Sequence, residues 1–300
     1  KEPAKDTNLP EGDGDPIKIE AELVLIDVTV LDKNNRFISG LDASKFQIYE
    51  DEITQQIEYF SQDQIPISYG IVVDTSGSMN KRLPTVIKAA KTLINLSQPG
   101  DEFFILDMKD SRNTELVQEF TTNIADANYA LDSIGAGGGT ALLDGIVFSG
   151  KYAQEGKNRR KALIVISDGD ERDSTISVEE TLKKLRAYET QLYIIGFPDD
   201  LSKGYTNSQR SAKENAIDLI NRLTTESGGQ AYFPKELSEL ETIAKKINAD
   251  LRSQYILGYY SSNPKQDGSF RRIQLKVTDN KESYSVRARS GYFIPKIKDK

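Results

Sequence analysis

Asp74, Ser76 and Ser78 occupy alternate positions of Asp74-Thr75-Ser76-Gly77-Ser78 and offer one carboxylate and two hydroxyls. Three hard oxygen donors, with no nitrogen or sulfur among them, suit Mg²⁺, Mn²⁺ or Ca²⁺ rather than zinc or copper. Two more segments can extend the set: Gly137-Gly138-Gly139-Thr140, and Ser167-Asp168-Gly169-Asp170-Glu171. Cation binding is the chemistry open to such a group. The chain has no cysteine and no histidine. Disulfides, thiolate chemistry, Cys/His zinc sites and histidine-based catalysis are therefore excluded.

The elements that must present these residues are legible around them. The apolar run 67–73 reads as a buried strand that delivers Asp74 at its C-terminal end, where open α/β sheets bind ligands. A helix follows, with Leu83, Val86, Ile87, Ala90, Leu93 and Ile94 on one stripe and Pro84 in its first turn. Residues 162–167 form a continuous apolar strand, as in a parallel sheet covered on both faces. Further strands are expected at 103–108, 191–197 and 230–233, and an antiparallel edge at 114–120. Helices are expected at 125–134, 142–154, 178–188, 212–227 and 237–251. The predicted fold is a doubly wound, mostly parallel α/β sheet with helices on both faces.

Both flanks read as β. Between 19 and 31, Val24, Ile26, Val28 and Val30 share one face. Residues 46–49 and 57–60 look like a hairpin around Glu50-Asp51-Glu52, and 255–260, 271–277 and 284–289 alternate after the last helix. Three-stranded pieces bury little apolar surface alone, so the flanks are expected to meet as one small sandwich with the α/β domain inserted. The predicted organisation is 1–16 a disordered leader, 17–64 β, 65–251 α/β and 252–296 β. The basic run Lys157-Asn158-Arg159-Arg160-Lys161 is expected to be solvated where it leads into a strand.

A net charge of −7 over 300 residues argues against nucleic acid, which needs a basic footprint. No apolar stretch approaches the roughly 18–20 residues of a membrane span. The first residue is Lys1, so a removed signal or anchor segment is expected, although a trimmed chain fits equally.

The order Asp74-x-Ser76-x-Ser78, Thr140, Asp168 resembles the von Willebrand factor A domain with its metal-ion-dependent adhesion site, over about residues 65–251. The flanking stretches 42–51, 56–60, 255–259, 268–273 and 287–292 resemble a bacterial subgroup first noted for its abundance in Acidobacteria, whose members are mostly predicted to be exported. The resemblance implies that Ser76 and Ser78 bind the metal directly, Thr140 directly or through water, and Asp74 and Asp168 directly or through water. It also implies that an Asp or Glu of a protein partner takes an open coordination position, in the periplasm, at the cell surface or outside the cell. No enzymatic activity is implied.

Blander readings stand beside this one. Asp74 to Ser78 could cap the following helix, and the glycines could form a mere turn. Asp170, Glu171 and Asp173 could surround the metal, hold a second cation, or lie in a solvated loop; facing the metal, they would repel an acidic partner. The long connection 198–211 carries Lys203, Tyr205 and Arg210, which could read a partner. Ser78-Met79-Asn80-Lys81 matches the SxxK nucleophile motif without its companion Lys-Thr-Gly, and no P-loop sequence occurs. A Mg²⁺-dependent hydrolase would want a second carboxylate beside Asp74, where Ser76 stands. A scaffold subunit with a purely structural metal is the remaining alternative.

Overall fold

The computed structural model describes residues 22–110, 114–198, 212–278 and 284–296. Strands β1 (Leu23–Leu31), β2 (Phe46–Glu50), β3 (Ile53–Gln55) and β4 (Tyr59–Ser61) come first. The central region then runs β5 (Ile67–Asp74), α1 (Leu83–Asn95), β6 (Glu102–Met108), β7 (Glu115–Thr121), α2 (Ile124–Ser133) and α3 (Leu142–Tyr152). It continues through β8 (Arg160–Ser167), α4 (Val178–Ala187), β9 (Thr190–Gly196), α5 (Ala212–Ser227), β10 (Gln230–Tyr232) and α6 (Leu240–Arg252). Strands β11 (Tyr255–Tyr260), β12 (Phe270–Val277), β13 (Ser285–Arg287) and β14 (Gly291–Phe293) follow. The leader at 1–16 and the loop residues Lys203, Tyr205 and Arg210 lie outside the described residues.

The central sheet has the order β10-β9-β8-β5-β6-β7. All neighbours are parallel except the edge strand β7. Every residue of β5, β6 and β9 is buried, which only a sheet covered on both faces permits. Alternation divides β5 between two cores. Ile71 and Val73 pack with Val86, Ala90, Leu93 and Ile94 of α1 and with Ile243 and Ile247 of α6. Val72 packs with Leu142 and Ile146 of α3 and with Leu182 of α4. Each such aliphatic side chain contributes about 1.5–3 kcal/mol on burial. Connections leave β5 toward β6 on one side, and the chain returns to place β8 on the other. The C-terminal ends of β5 and β8 therefore flank the topological switch point of the sheet.

The flanks pair with each other. One sheet runs β13-β1-β11-β4 and the other β14-β12-β2-β3, so each mixes strands from both ends of the chain. Val24, Ile26, Val28 and Val30, with Tyr255 and Leu257 beside them in the same sheet, share one core with Phe46, Ile48 and Ile273 of the other. Glu50 is buried there and accepts hydrogen bonds from Tyr259 Oη (2.7 Å), Tyr292 Oη (2.8 Å) and Arg271 Nη1 (3.2 Å).

Two expectations are corrected. The hairpin after β2 is closed by β3, not by residues 57–60. Its two-residue loop, Asp51 (φ 47°) and Glu52 (φ 70°), has both central residues left-handed, as a type I′ turn requires. The turn thus lies where the sequence placed it, and only the return strand differs. Residues 59–61 instead join the opposite sheet beside β11. The basic run before β8 is not wholly solvated. Arg160 is 1% exposed and its Nη2 lies 2.6 Å from Asp27 Oδ1 on β1, while its Nη1 donates to Leu251 O at 2.7 Å. Arg159 pairs with the same carboxylate. A second knot joins the layers at Asp250, which accepts from Thr29 Oγ1 (2.9 Å), Tyr193 Oη (3.0 Å) and Arg287 Nη2 (2.5 Å). Buried cations and carboxylates thus fasten the sandwich to the α/β domain.

Candidate metal centre

Asp74 is the last residue of β5 and is fully buried. Its Oδ1 accepts from the Ser76 amide at 2.9 Å, and its Oδ2 accepts from Ser167 Oγ at 2.6 Å. Ser167 ends β8, the strand beside β5, so neighbouring strand ends hold the carboxylate from two sides. Ser76 is buried and Ser78 is exposed, with their hydroxyl oxygens 3.0 Å apart. Ser78 Oγ donates to Asp168 Oδ2 at 2.5 Å, and the buried Asp168 accepts the Asp170 amide on Oδ1 at 3.0 Å. Asp74, Ser76, Ser78 and Asp168 are therefore brought into one hydrogen-bonded group.

Thr140 reaches this rim through its loop. Gly137 N donates to Thr75 O at 2.7 Å, and Gly77 N to Gly138 O at 3.4 Å, so the glycine loop is bonded to the loop after β5. Thr140 is 5% exposed, its amide donates to Asp173 Oδ2 at 3.1 Å, and its carbonyl accepts from the Asp173 amide. The glycines are more than a flexible turn. Gly138 has φ 121°, which side-chain-bearing residues avoid. A Cβ on Gly139 would come 2.1 Å from Asp173 Oδ2.

The helix-capping reading does not describe these serines. The short 3-10 turn Gly77–Met79 has Ser76 at its N-cap without a side-chain cap bond, and α1 is not capped by a side chain. Both hydroxyls are turned to the cluster instead.

The acidic residues beyond Asp168 are engaged locally. Glu171 Oε2 accepts the Leu143 amide at 2.9 Å and Ser174 Oγ at 2.8 Å, which puts its charge at the N-terminus of α3. Asp173 holds the Thr140 amide, and Asp170 pairs with Arg172 at 2.5 Å. Sequence reasoning missed three supports: Ser167, Asp107 and Lys109. Thr75 Oγ1 donates to Asp107 Oδ1 at 2.5 Å, and Lys109 Nζ lies 2.9 Å from Asp107 Oδ2. Ser167 closes an apolar strand run, and that placement was the available signal; Asp107 lies inside β6, where nothing local marks its partner.

The electrostatics of the centre are unbalanced. Among the described residues, neither Asp74 nor Asp168 is paired with a cationic side chain, although both are buried. Burial pushes the Asp74 carboxyl up to about 6; the bonds from Ser167 and Ser76 act against this, and the nearby Asp168 charge adds to it. Buried carboxylates of this kind are paired or bind metal. No group of three or more Asp, Glu, His or Cys side chains converges among the described residues, so a cation here would depend on hydroxyl donors. Two carboxylates and a pair of hydroxyls, all oxygen, fit a hard divalent ion.

The fold and this oxygen-rich rim define a doubly wound α/β domain of the von Willebrand type. Residues 70–171 match the family model for the von Willebrand factor type A domain. The uncharacterized protein YfbK of Escherichia coli (strain K12) is 26% identical over 202 residues, covering 63% of this chain and 34% of its own length. The chain thus spans about a third of that relative. A von Willebrand factor type A protein from Catenulispora acidiphila has a TM-score of 0.53 at 12% identity, covering 90% of this chain and 74% of that one. Proximal thread matrix protein 1 of the mussel byssus has a TM-score of 0.50 at 14% identity, covering 63% of this chain and 49% of that one. These likenesses establish the fold.

Proposed function

We propose that this chain is a divalent-metal-dependent protein-binding module. Ser76, Ser78 and Thr140 would hold Mg²⁺, Mn²⁺ or Ca²⁺ through hydroxyls, with Asp74 and Asp168 binding directly or through water. The observation that carries this reading is the pair of buried carboxylates without a cationic partner, bridged to two hydroxyls at the switch point of the sheet. When bound, the ion supplies an electropositive coordination position that attracts an acidic side chain of a partner. The chain's own residues orient that position. Ser167 fixes Asp74, and Asp173 fixes the loop that carries Thr140. Glu171 is drawn into the N-terminus of α3, which lessens its repulsion of an incoming acid.

The module is read as non-enzymatic and as exported to the periplasm, the cell surface or the medium; the export reading rests on the subgroup resemblance. Among the described residues no helix is long and apolar enough to cross a membrane. A scaffold role with a structural metal is favoured by one observation, the buried ionic knots that fix the sandwich to the domain. A pull-down with and without EDTA, read by mass spectrometry, separates the two. Loss of partners in EDTA supports metal-dependent capture, whereas an EDTA-insensitive complex supports the scaffold.

A further inference from the structure

Beside the metal centre lies a cavity of about 370 Å³ lined by Ser78, Lys81, Arg82, Phe197, Lys235 and Glu236, together with Pro234 and Leu237. It shares Ser78 with the oxygen cluster, so the two are contiguous. Its walls come from the loops after β5, β9 and β10, which are parallel strands and therefore deliver their C-terminal ends to one rim. Phe197 N donates to Ser167 O at 3.1 Å, which fixes the groove floor to the strand end that also holds Asp74. The Arg82 guanidinium lies over the Phe197 ring, 5.1 Å from its centroid.

The charge of this groove runs against that of the chain. Arg82 already has a partner, and the two remaining cations, Lys81 and Lys235, stand beside one carboxylate, Glu236, in a chain of net −7. Glu236 is moreover occupied. Its side chain accepts the Glu239 amide in a capping box and Ser238 Oγ at 3.1 Å. Lys81 and Lys235 are exposed, and among the described residues neither ammonium is paired with a carboxylate. The acids Asp170, Glu171 and Asp173 are tied instead to Arg172, the start of α3 and the Thr140 amide.

We propose that this groove receives a second acidic side chain of the partner that approaches the metal centre, so that the recognised element is an acidic segment rather than a single Asp or Glu. The proposal rests on the metal-dependent reading for its first contact and adds a second contact through Lys81 and Lys235. Charges at an exposed rim act mainly on encounter rate and orientation, and salt screens them over about 8 Å at physiological ionic strength.

The test uses twelve-residue fluorescent peptides in a Gly/Ser background. One carries a single Asp, and a short series carries Asp and Glu separated by one to four residues. Anisotropy is measured at 1 mM Mg²⁺ and in EDTA, with the wild-type chain, Lys81→Gln/Lys235→Gln, and the control Lys151→Gln/Lys183→Gln, which makes the same change in net charge elsewhere. The best two-acid peptide should bind roughly 3–10-fold more tightly than the one-acid peptide, as expected for a pair of exposed ionic contacts. That ratio should fall to about 1 in the groove variant only, and should shrink with added salt. An unchanged ratio in the groove variant, an equal fall in the control, or no preference for two acids overturns the proposal. If EDTA leaves peptide binding intact while the groove variant abolishes the two-acid preference, metal capture fails and the groove stands.

Discussion

The Ser78 hydroxyl donates to Asp168 Oδ2 at 2.5 Å, joining residues 90 positions apart. The bond ties the loop after β5 to the loop after β8 and aims both at one point. A cation bound there would take over the oxygens that this bond now pairs. Binding should therefore stabilise the folded chain without rearranging the sheet.

Mg²⁺ at about one hundred times its dissociation constant should add about 2.7 kcal/mol to stability. For a domain of this size that is a rise in Tm of roughly 5–10 °C. Scanning calorimetry with Mg²⁺ and with EDTA measures it. Ser76→Ala with Ser78→Ala should abolish the shift while leaving the circular dichroism spectrum unchanged, since both hydroxyls lie outside the cores.

Glu171 should behave as a helix-end residue. Glu171→Ala removes the acceptor of the Leu143 amide and should cost about 0.5–2 kcal/mol in urea unfolding. Its Mg²⁺ affinity, from titration calorimetry, should stay within roughly threefold of wild type. A much larger loss would make Glu171 part of the metal site.

Gly139→Ala probes the loop that carries Thr140. The added methyl would meet Asp173 Oδ2 at 2.1 Å, so the bond from Thr140 N to Asp173 must give way. Overpacking of this kind costs about 1–3 kcal/mol. The thermal response to Mg²⁺ should fall more than the stability of the metal-free chain, which the same calorimetry reports.

The contact between Asp27 and Arg160 sets a pH limb. Burial pushes the Asp27 carboxyl up, but the charges of Arg160 and Arg159 and their hydrogen bonds outweigh it and hold the group below the ordinary carboxylate range. A depressed folded value means that this contribution is complete above the unfolded pKa of about 3.9 and is lost as pH falls through the folded value. Asp27→Asn should cost about 3 kcal/mol at pH 7, the lower end for a broken buried pair, because Asp27 keeps 15% exposure. Urea midpoints measured from pH 7 down to pH 2 should converge for the two proteins as the acid limb is crossed.

Much of the centre was legible because its donors lie at strand ends, and strand ends follow from hydrophobic runs. Asp74 and Asp168 each close an apolar stretch, and the type and spacing of Ser76 and Ser78 pointed to a hard cation. The partners of those donors were harder to read. Ser167 sits on the boundary of a strand, and Asp107 stands inside one, where a carboxylate carries no local signature of its partner Thr75. The burial of Arg160 was hidden because its counter-ion, Asp27, is 133 residues away on a strand of the other domain. The turn at Asp51-Glu52 was legible, but its return strand was not, because Ile53-Thr54-Gln55 is short and carries a weaker apolar signal than 57–60.

The sandwich also determines how the molecule carries load. Strands β4 and β11 pair directly, with Ser61 opposite Ile256, so the two chain crossings into the inserted domain are stapled side by side. Tension applied between β1 and β14 therefore runs through the interleaved sheets and their hydrogen-bond ladders. Load on β1 also reaches the start of β8 directly, through the contact between Asp27 and Arg160.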